Sequence, residues 1–400
     1  MRKNQNRSQG GTKSNASSRH IFCNNPRRHS ARGSIRCPRA GGQAAANLTF
    51  TAYERGTSGF NIAVAVGKAF KEQHNTDVRV LPAGNDVARL TPIKTGKAQV
   101  SAMGTGIYFA QEGVFEFATR DWGPQALYLI LSSVDCNGAN LGIAKDTGVT
   151  EIKGLKGKRV DFVVGAPSLN QNALATLAFG ALTRSDVTIV EFASFGAMWK
   201  GMINNNVDAA FASTITAQTR EVETSPRGLV WPVWAHSDTA GWERVRKIAA
   251  FINPHVATCG SAGLSARAPK EMGGFPYPIF SAYGALPEDL AHAVAKAMIT
   301  GYDAYKDAAP GASGLAVSKQ TKKWVVPFHA GAVRAFREVG AWSGDEEAYN
   351  NGLVKRQGAL ADAWAAYLKT NPLEDKQQFQ NGWMAARRSA LAAAGLEPVF

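Results

Sequence analysis

From Leu48 onward short apolar strands alternate with helical patterns, which restricts the chain to α/β folds built on mostly parallel sheets. Leu48–Ala52, Asp77–Leu81, Gln99–Met103 and Ala126–Val134 read as strands, with helices starting near Phe60, Asn85 and Thr105 between them. Ala126–Val134 is almost continuously apolar, as a strand covered on both faces would be. A second series follows. Leu141–Ala144, Arg159–Val164, Val187–Phe192 and Val207–Ala212 read as strands, with Leu229–Trp234 as one more. Helices fall at 169–182, 195–203 and 214–222 between and after them. A Gly/Pro-rich stretch runs from about His255 to Pro278, and helical patterns follow at 287–307, 328–339, 345–369 and 375–394. At 400 residues the chain is long enough for two cores.

Charge is unevenly spread. The formal net charge is +14, but residues 1–46 carry ten basic side chains and no acid, which leaves +4 (14 − 10) on the body. Such a polar, apolar-poor segment reads as a disordered basic tail. Gln43-Ala44-Ala45-Ala46 resembles the end of an export signal without the apolar stretch that should precede it, so the mature chain is expected to begin near Ala44–Leu48. No apolar run approaches the ~20 residues of a membrane-spanning helix. Cys23 and Cys37 lie in the tail. Cys136 and Cys259, in the body, permit one disulfide without arguing for it and read as buried, unpaired thiols.

Three loops place small polar residues between a strand and a helix: Thr57-Ser58-Gly59, Met103-Gly104-Thr105-Gly106 and Gly165-Ala166-Pro167-Ser168-Leu169-Asn170. The first amides of a helix lack intrahelical acceptors and sit at the positive end of its dipole, so such loops hold anions. Each alone reads more readily as an ordinary N-cap or turn. Together, at strand ends of an open α/β sheet, they point to a ligand. Nucleotide fingerprints are absent, as are H-E-x-x-H and G-x-S-x-G. The seven histidines show no ligand spacing, and His329, at the head of a helix, reads as a packed or capping residue. Glu191 and Asp208 are not coupled by anything in the sequence.

Further stretches are more specific. L-K-G-K-R-V at 155–160, V-V-G-A-P-S at 163–168 and M-I-N-N-N-V-D-A-A-F-A at 202–212 resemble the TAXI family, the extracytoplasmic solute-binding subunits of TRAP transporters. G-T-S-G at 56–59 is similar to that family's first ligand loop, and P-F-H-A-G-A-V-R-A-F-R-E-V-G at 327–340 to its C-terminal motif. The resemblance covers about 48–340. It implies a type II periplasmic-binding-protein fold: two α/β lobes, two crossing strands and a cleft between the lobes. Lobe one would hold 48–136 and 255–340, lobe two 137–254, with 341–400 as helices packed on lobe one. It also implies ligand contacts at Thr57, Ser58, Gly59, Asn85, Gly104, Thr105, Pro167, Ser168, Asn170 and Ser213. Two departures touch that set: Ser168-Leu169-Asn170-Gln171 replaces a glycine-serine-glycine-threonine loop, and Phe60-Asn61 an aromatic pair.

The expected function is therefore a periplasmic, monomeric receptor that passes a small organic anion, a carboxylate or amino acid, to TRAP permease subunits. It would use no cofactor, metal, nucleic acid or covalent chemistry. The alternative is an enzyme or a sensor/effector domain on the same bilobal fold. An enzyme would need a nucleophile in the cleft, for which Cys259 is the one faint candidate, and the tail lacks the helix-turn-helix pattern of a DNA-linked effector.

Overall fold

The computed structural model describes residues 47–400; the expectations for the tail fall outside them. The first strand, β1 (Asn47–Tyr53), is buried over its last residues and leads through a tight loop into α1 (Ser58–His74). The Thr57 hydroxyl caps α1 by accepting from Phe60 N, and Asn75, at φ 50°, ends it. Next come β2 (Asp77–Ala83), α2 (Asp86–Lys94), β3 (Val100–Met103), α3 (Gly106–Glu112) and β4 (Leu127–Ser132).

The chain then crosses to a second sheet. There it forms β5 (Ala139–Ala144), β6 (Arg159–Val163), α4 (Pro167–Phe179), β7 (Thr188–Phe192), α5 (Phe195–Ile203), β8 (Ala209–Ser213) and α6 (Ala217–Thr224). Completing it are β9 (Leu229–Val230), α7 (Thr239–Ile248), β10 (Asn253–Ala257) and β11 (Lys270–Gly274). The return crossing leads into β12 (Ile279–Tyr283).

Both sheets follow one plan. The first has the order β2-β1-β3-β12-β4, the second β10-β11-β5-β8-β6-β7, with the short β9 beside β5. In each, three strands linked through helices run parallel (β2, β1, β3 and β7, β6, β8). The next position is taken by an antiparallel strand that has just arrived from the other lobe: β12 beside β3, and β5 beside β8. Two crossings therefore join two lobes, the type II arrangement that the resemblance implies.

The segment after Ile252 differs from the expectation. β10 and β11 pair with each other, and β11 with β5, so both belong to the second sheet. The return crossing thus lies between Gly274 and Ile279 rather than near His255. Two glycines at one end of the β11–β10 register, opposite Asn253 and Pro254 of β10, hide these strands from an apolar-alternation reading. The strand expected over 229–234 stops at Val230, and the helix expected over 287–307 divides at Gly301 into α8 (Glu288–Thr300) and α9 (Tyr302–Tyr305).

Motif residues 327–329 run along the outside of β4: Leu129 N donates to Pro327 O at 2.8 Å and His329 N to Leu129 O at 2.9 Å. His329 then caps α10 (Ala330–Glu338), its Nδ1 accepting from Gly331 N at 3.2 Å. This is a capping role, as read from the sequence. The chain ends in two long helices, α11 (Gly344–Lys369) and α12 (Lys376–Ala393). Arg356 of α11 makes a two-pronged bond to Glu112 of α3 (2.7 and 2.8 Å), and Arg387 of α12 contacts the same buried carboxylate. Phe400 packs against Phe109 and Phe115 at ring distances of 5.7 and 5.4 Å.

Cys136 and Cys259 form a disulfide with a Cα–Cα distance of 5.4 Å. The expectation of unpaired thiols is corrected. Antiparallel pairing brings the β4–β5 connection and the end of β10 together, and Thr258 N donates to Cys136 O at 2.8 Å beside the bridge. Sequence separation conceals that closeness.

Candidate functional site

Between the lobes lies a cavity of about 40 Å³, room for several water-sized groups. Tyr53, Phe195, Phe211, Phe275 and Tyr277 supply its aromatic wall, and Thr57, Thr105, Asn137, Asn172, Ser213 and Thr216 its polar one. Gly104, Gly138, Ser168 and Leu169 complete much of the remainder. Both lobes and both crossings contribute. No charged side chain lines it among the described residues.

Of the ten residues expected at a ligand, Thr57, Gly104, Thr105, Ser168 and Ser213 line this cavity. Ser58 and Gly59 lie behind Tyr277: a Cβ on Gly59 would come within 3.0 Å of the Tyr277 hydroxyl. Asn85, Pro167 and Asn170 are not in the wall. Asn85 caps α2, accepting from Ala88 N at 2.8 Å, and reaches across to Val164 O at 3.1 Å. Pro167 opens α4, where a fixed φ suits the first helical position. Asn170 folds back on its own strand, accepting from Val163 N at 2.8 Å and donating to Val163 O at 3.1 Å. Its carboxamide is consumed within lobe two, outside the cavity wall where a ligand contact was expected.

Strand-to-helix loops were expected to hold an anion on helix amides. At the loop that opens α4, and at the starts of α5 and α6, such amides meet the protein's own acceptors from lobe one. Ser168 N, in the first turn of α4, donates to Asp86 Oδ2 at 2.7 Å. Gly196 N, in the first turn of α5, donates to Glu54 Oε2. Ala217 N, first in α6, donates to Gly56 O at 3.1 Å. A carboxylate at a helix N-terminus is favoured by the dipole, so these contacts hold the lobes together. Further bonds cross beside them, Val87 N to Gly165 O and Phe195 N to Gly84 O, both at 3.1 Å. The lobes are closed on the cavity.

Asp86 is the hub of this closure. It is fully buried, pairs with the fully buried Arg89 one turn along α2, and accepts from the Tyr53 hydroxyl at 3.1 Å. Tyr53 is also 2.8 Å from Ser168 Oγ, and the Arg89 guanidinium lies 3.1 Å from the centre of its ring. Gly106 is required here, because a Cβ would fall 2.6 Å from the Asp86 carboxyl carbon. Burial, partly offset by Arg89, raises the pKa of both Tyr53 and Tyr277, so each phenol stays neutral.

Tyr53, Asp86, Asn137, Asn172, Phe195, Phe211, Phe275 and Tyr277 escaped the sequence reading. Tyr53 at the end of β1 and Asp86 beside the Asn85 cap could have been found as polar groups at strand ends. Asn137, Phe275 and Tyr277 sit on the crossings, where sequence carries no periodic signal.

The NMT1-like family matches residues 51–340. No curated protein matches the chain. Among solved structures, a protein from Bordetella bronchiseptica RB50 is similar at 16% identity and a TM-score of 0.42, covering 75% of this chain and 91% of its own. An amino acid ABC transporter substrate-binding protein from Streptococcus pneumoniae, bound to L-arginine, aligns at 13% identity and a TM-score of 0.39, covering 66% and 96%. The alkanesulfonate-binding protein from Xanthomonas axonopodis pv. citri, bound to MOPS, aligns at 14% identity and a TM-score of 0.38, covering 81% and 93%. The family match spans both sheets, both crossings and the motif that heads α10; the chain belongs to the NMT1-like family.

Proposed function

We propose that this chain is an extracytoplasmic solute-binding receptor that closes its lobes around a small organic solute and hands it to a membrane permease. The observation that carries the reading is the cavity itself. It is enclosed by both lobes, lined by aromatic rings and uncharged hydrogen-bonding groups, and placed where hinge motion about two crossings opens it. The TAXI-like motifs favour a TRAP-type permease as partner. The Cys136–Cys259 bridge favours an oxidising compartment such as the periplasm. No helix among the described residues is long and apolar enough to cross a membrane. In this reading binding involves no covalent step.

A thermal-shift screen of organic acids, amino acids, amides and polyols against the full chain tests it. Saturable stabilisation by one compound class is expected, reversed by filling the cavity with Ser213→Trp. A screen in which nothing binds would count against a receptor.

A further inference from the structure

We infer that the cavity is built for a solute whose buried head is uncharged and carries both hydrogen-bond donors and acceptors, as a primary amide does. This rests on the receptor reading and narrows its ligand. Asn172 is 2% exposed, lines the cavity, and donates through Nδ2 to Thr105 Oγ1 at 3.3 Å. Its Oδ1 has no partner among the described residues. Leaving a buried carbonyl unpaired is costly, so this atom calls for a group that the protein does not supply. Asn137 adds a second carboxamide to the wall. Its Nδ2 donates to Ser213 Oγ at 2.9 Å, and its Oδ1 is likewise unpartnered.

Both amides are held by hydroxyls, which donate or accept equally well. Each can therefore turn either its C=O or its NH2 toward a ligand. A head group with both functions satisfies the pair in either setting, whereas a carboxylate only accepts and an ammonium only donates.

Electrostatics points the same way. An anion buried here would meet no lining cation, and two of the nearby helix termini, those of α4 and α5, are already occupied by Asp86 and Glu54. The Glu54 carboxylate, bonded to Gly196 N next to the lining Phe195, would repel it. Arg89 does not compensate, being paired with Asp86. A cation meets aromatic faces, but its desolvation is not offset by a lining carboxylate. The organic anion expected from the loops is thus the competing outcome.

Calorimetry on the oxidised full chain at pH 7.5 separates the two. The probes are matched pairs on four skeletons: acetamide and acetate, propionamide and propionate, isobutyramide and isobutyrate, benzamide and benzoate. Where a pair binds, the amide should bind at least tenfold tighter. Asn172→Leu should abolish that preference while leaving the cooperative unfolding transition intact; Asn172→Asp serves as a second variant should the leucine fail to fold, and should weaken amide binding. A carboxylate or an amine bound as tightly as its amide overturns the inference and leaves the receptor reading standing. So does a preference that survives both variants. If none of the pairs binds, a polyol or other neutral compound from the wider screen whose affinity depends on Asn172 supports the inference, and an ionic one overturns it. Failure of every small solute to bind sinks inference and receptor together.

Discussion

Asn170 and Asp161 show how much of lobe two's polar chemistry serves the fold. Asn170 closes a ring on Val163, so Asn170→Ala leaves the buried Val163 N–H without its partner. The expected cost is about 1–3 kcal/mol in urea unfolding, with ligand affinity unchanged within twofold because the side chain is outside the cavity wall. Asp161, on β6, is fully buried and accepts only from Phe211 N, at 3.2 Å, among the described residues. Burial pushes its carboxyl from 3.8 up to about 7. The folded state therefore favours the protonated form, and this group's contribution to stability is lost as pH rises from about 4 through about 7. Asp161→Asn keeps the acceptor and removes the charge. The variant should gain up to a few kcal/mol over the parent at pH 8 and much less at pH 5, measured by urea unfolding at both.

At the scale of elements, the βαβ units were legible because apolar strands and capped helices carry periodic signals, and the three loops were legible as caps. β10, β11 and β12 were not. Their residues, such as Asn-Pro-His-Val-Ala and Lys-Glu-Met-Gly-Gly, form strands only because β5 and β3 offer them partners. The same holds for the site: Thr57, Thr105 and Ser168 were readable from local loop chemistry, while Asn137, Phe275 and Tyr277 come together through the crossings alone. Terminal helices α11 and α12 were legible as helices, but their anchor was not, since Glu112 looks like any acid at a helix end. Two buried arginines depend on it. Glu112→Gln should cost about 3–5 kcal/mol, the penalty for leaving buried charge uncompensated. Hydrogen exchange should show α11 and α12 loosening before the sheets; uniform loosening would mean that the helices are integral to lobe one's stability.

Over the whole molecule, two devices set the relation between the lobes. The first is covalent: Cys136–Cys259 ties the outgoing crossing to the end of β10 across 123 residues. Reduction should lower stability by about 2–5 kcal/mol, read as a Tm difference with and without reductant and reproduced by Cys136→Ser. The second is electrostatic and reversible. Lobe-one acceptors cap α4, α5 and α6 of lobe two, so closure needs no ligand charge to complete it. Glu54 is the contact to test, because Asp86 is also tied to Arg89 and its loss would disturb lobe one. Glu54→Ala removes a charge-assisted bond to Gly196 N worth about 1.5–3 kcal/mol when shielded, and less at its half-buried position. A loss of ~1.4 kcal/mol shifts the closing equilibrium about tenfold toward open. Ligand-free scattering should then show a larger radius of gyration for Glu54→Ala than for the parent, and saturating ligand should restore the parent value. Apparent affinity should fall in proportion to the closed fraction, since ligand must first repopulate the competent form. Glu54→Gln, which keeps an acceptor, should fall between the two. Unchanged scattering and affinity in Glu54→Ala would mean that the backbone bonds at Gly56, Gly84 and Gly165 hold the lobes without help from the helix dipoles.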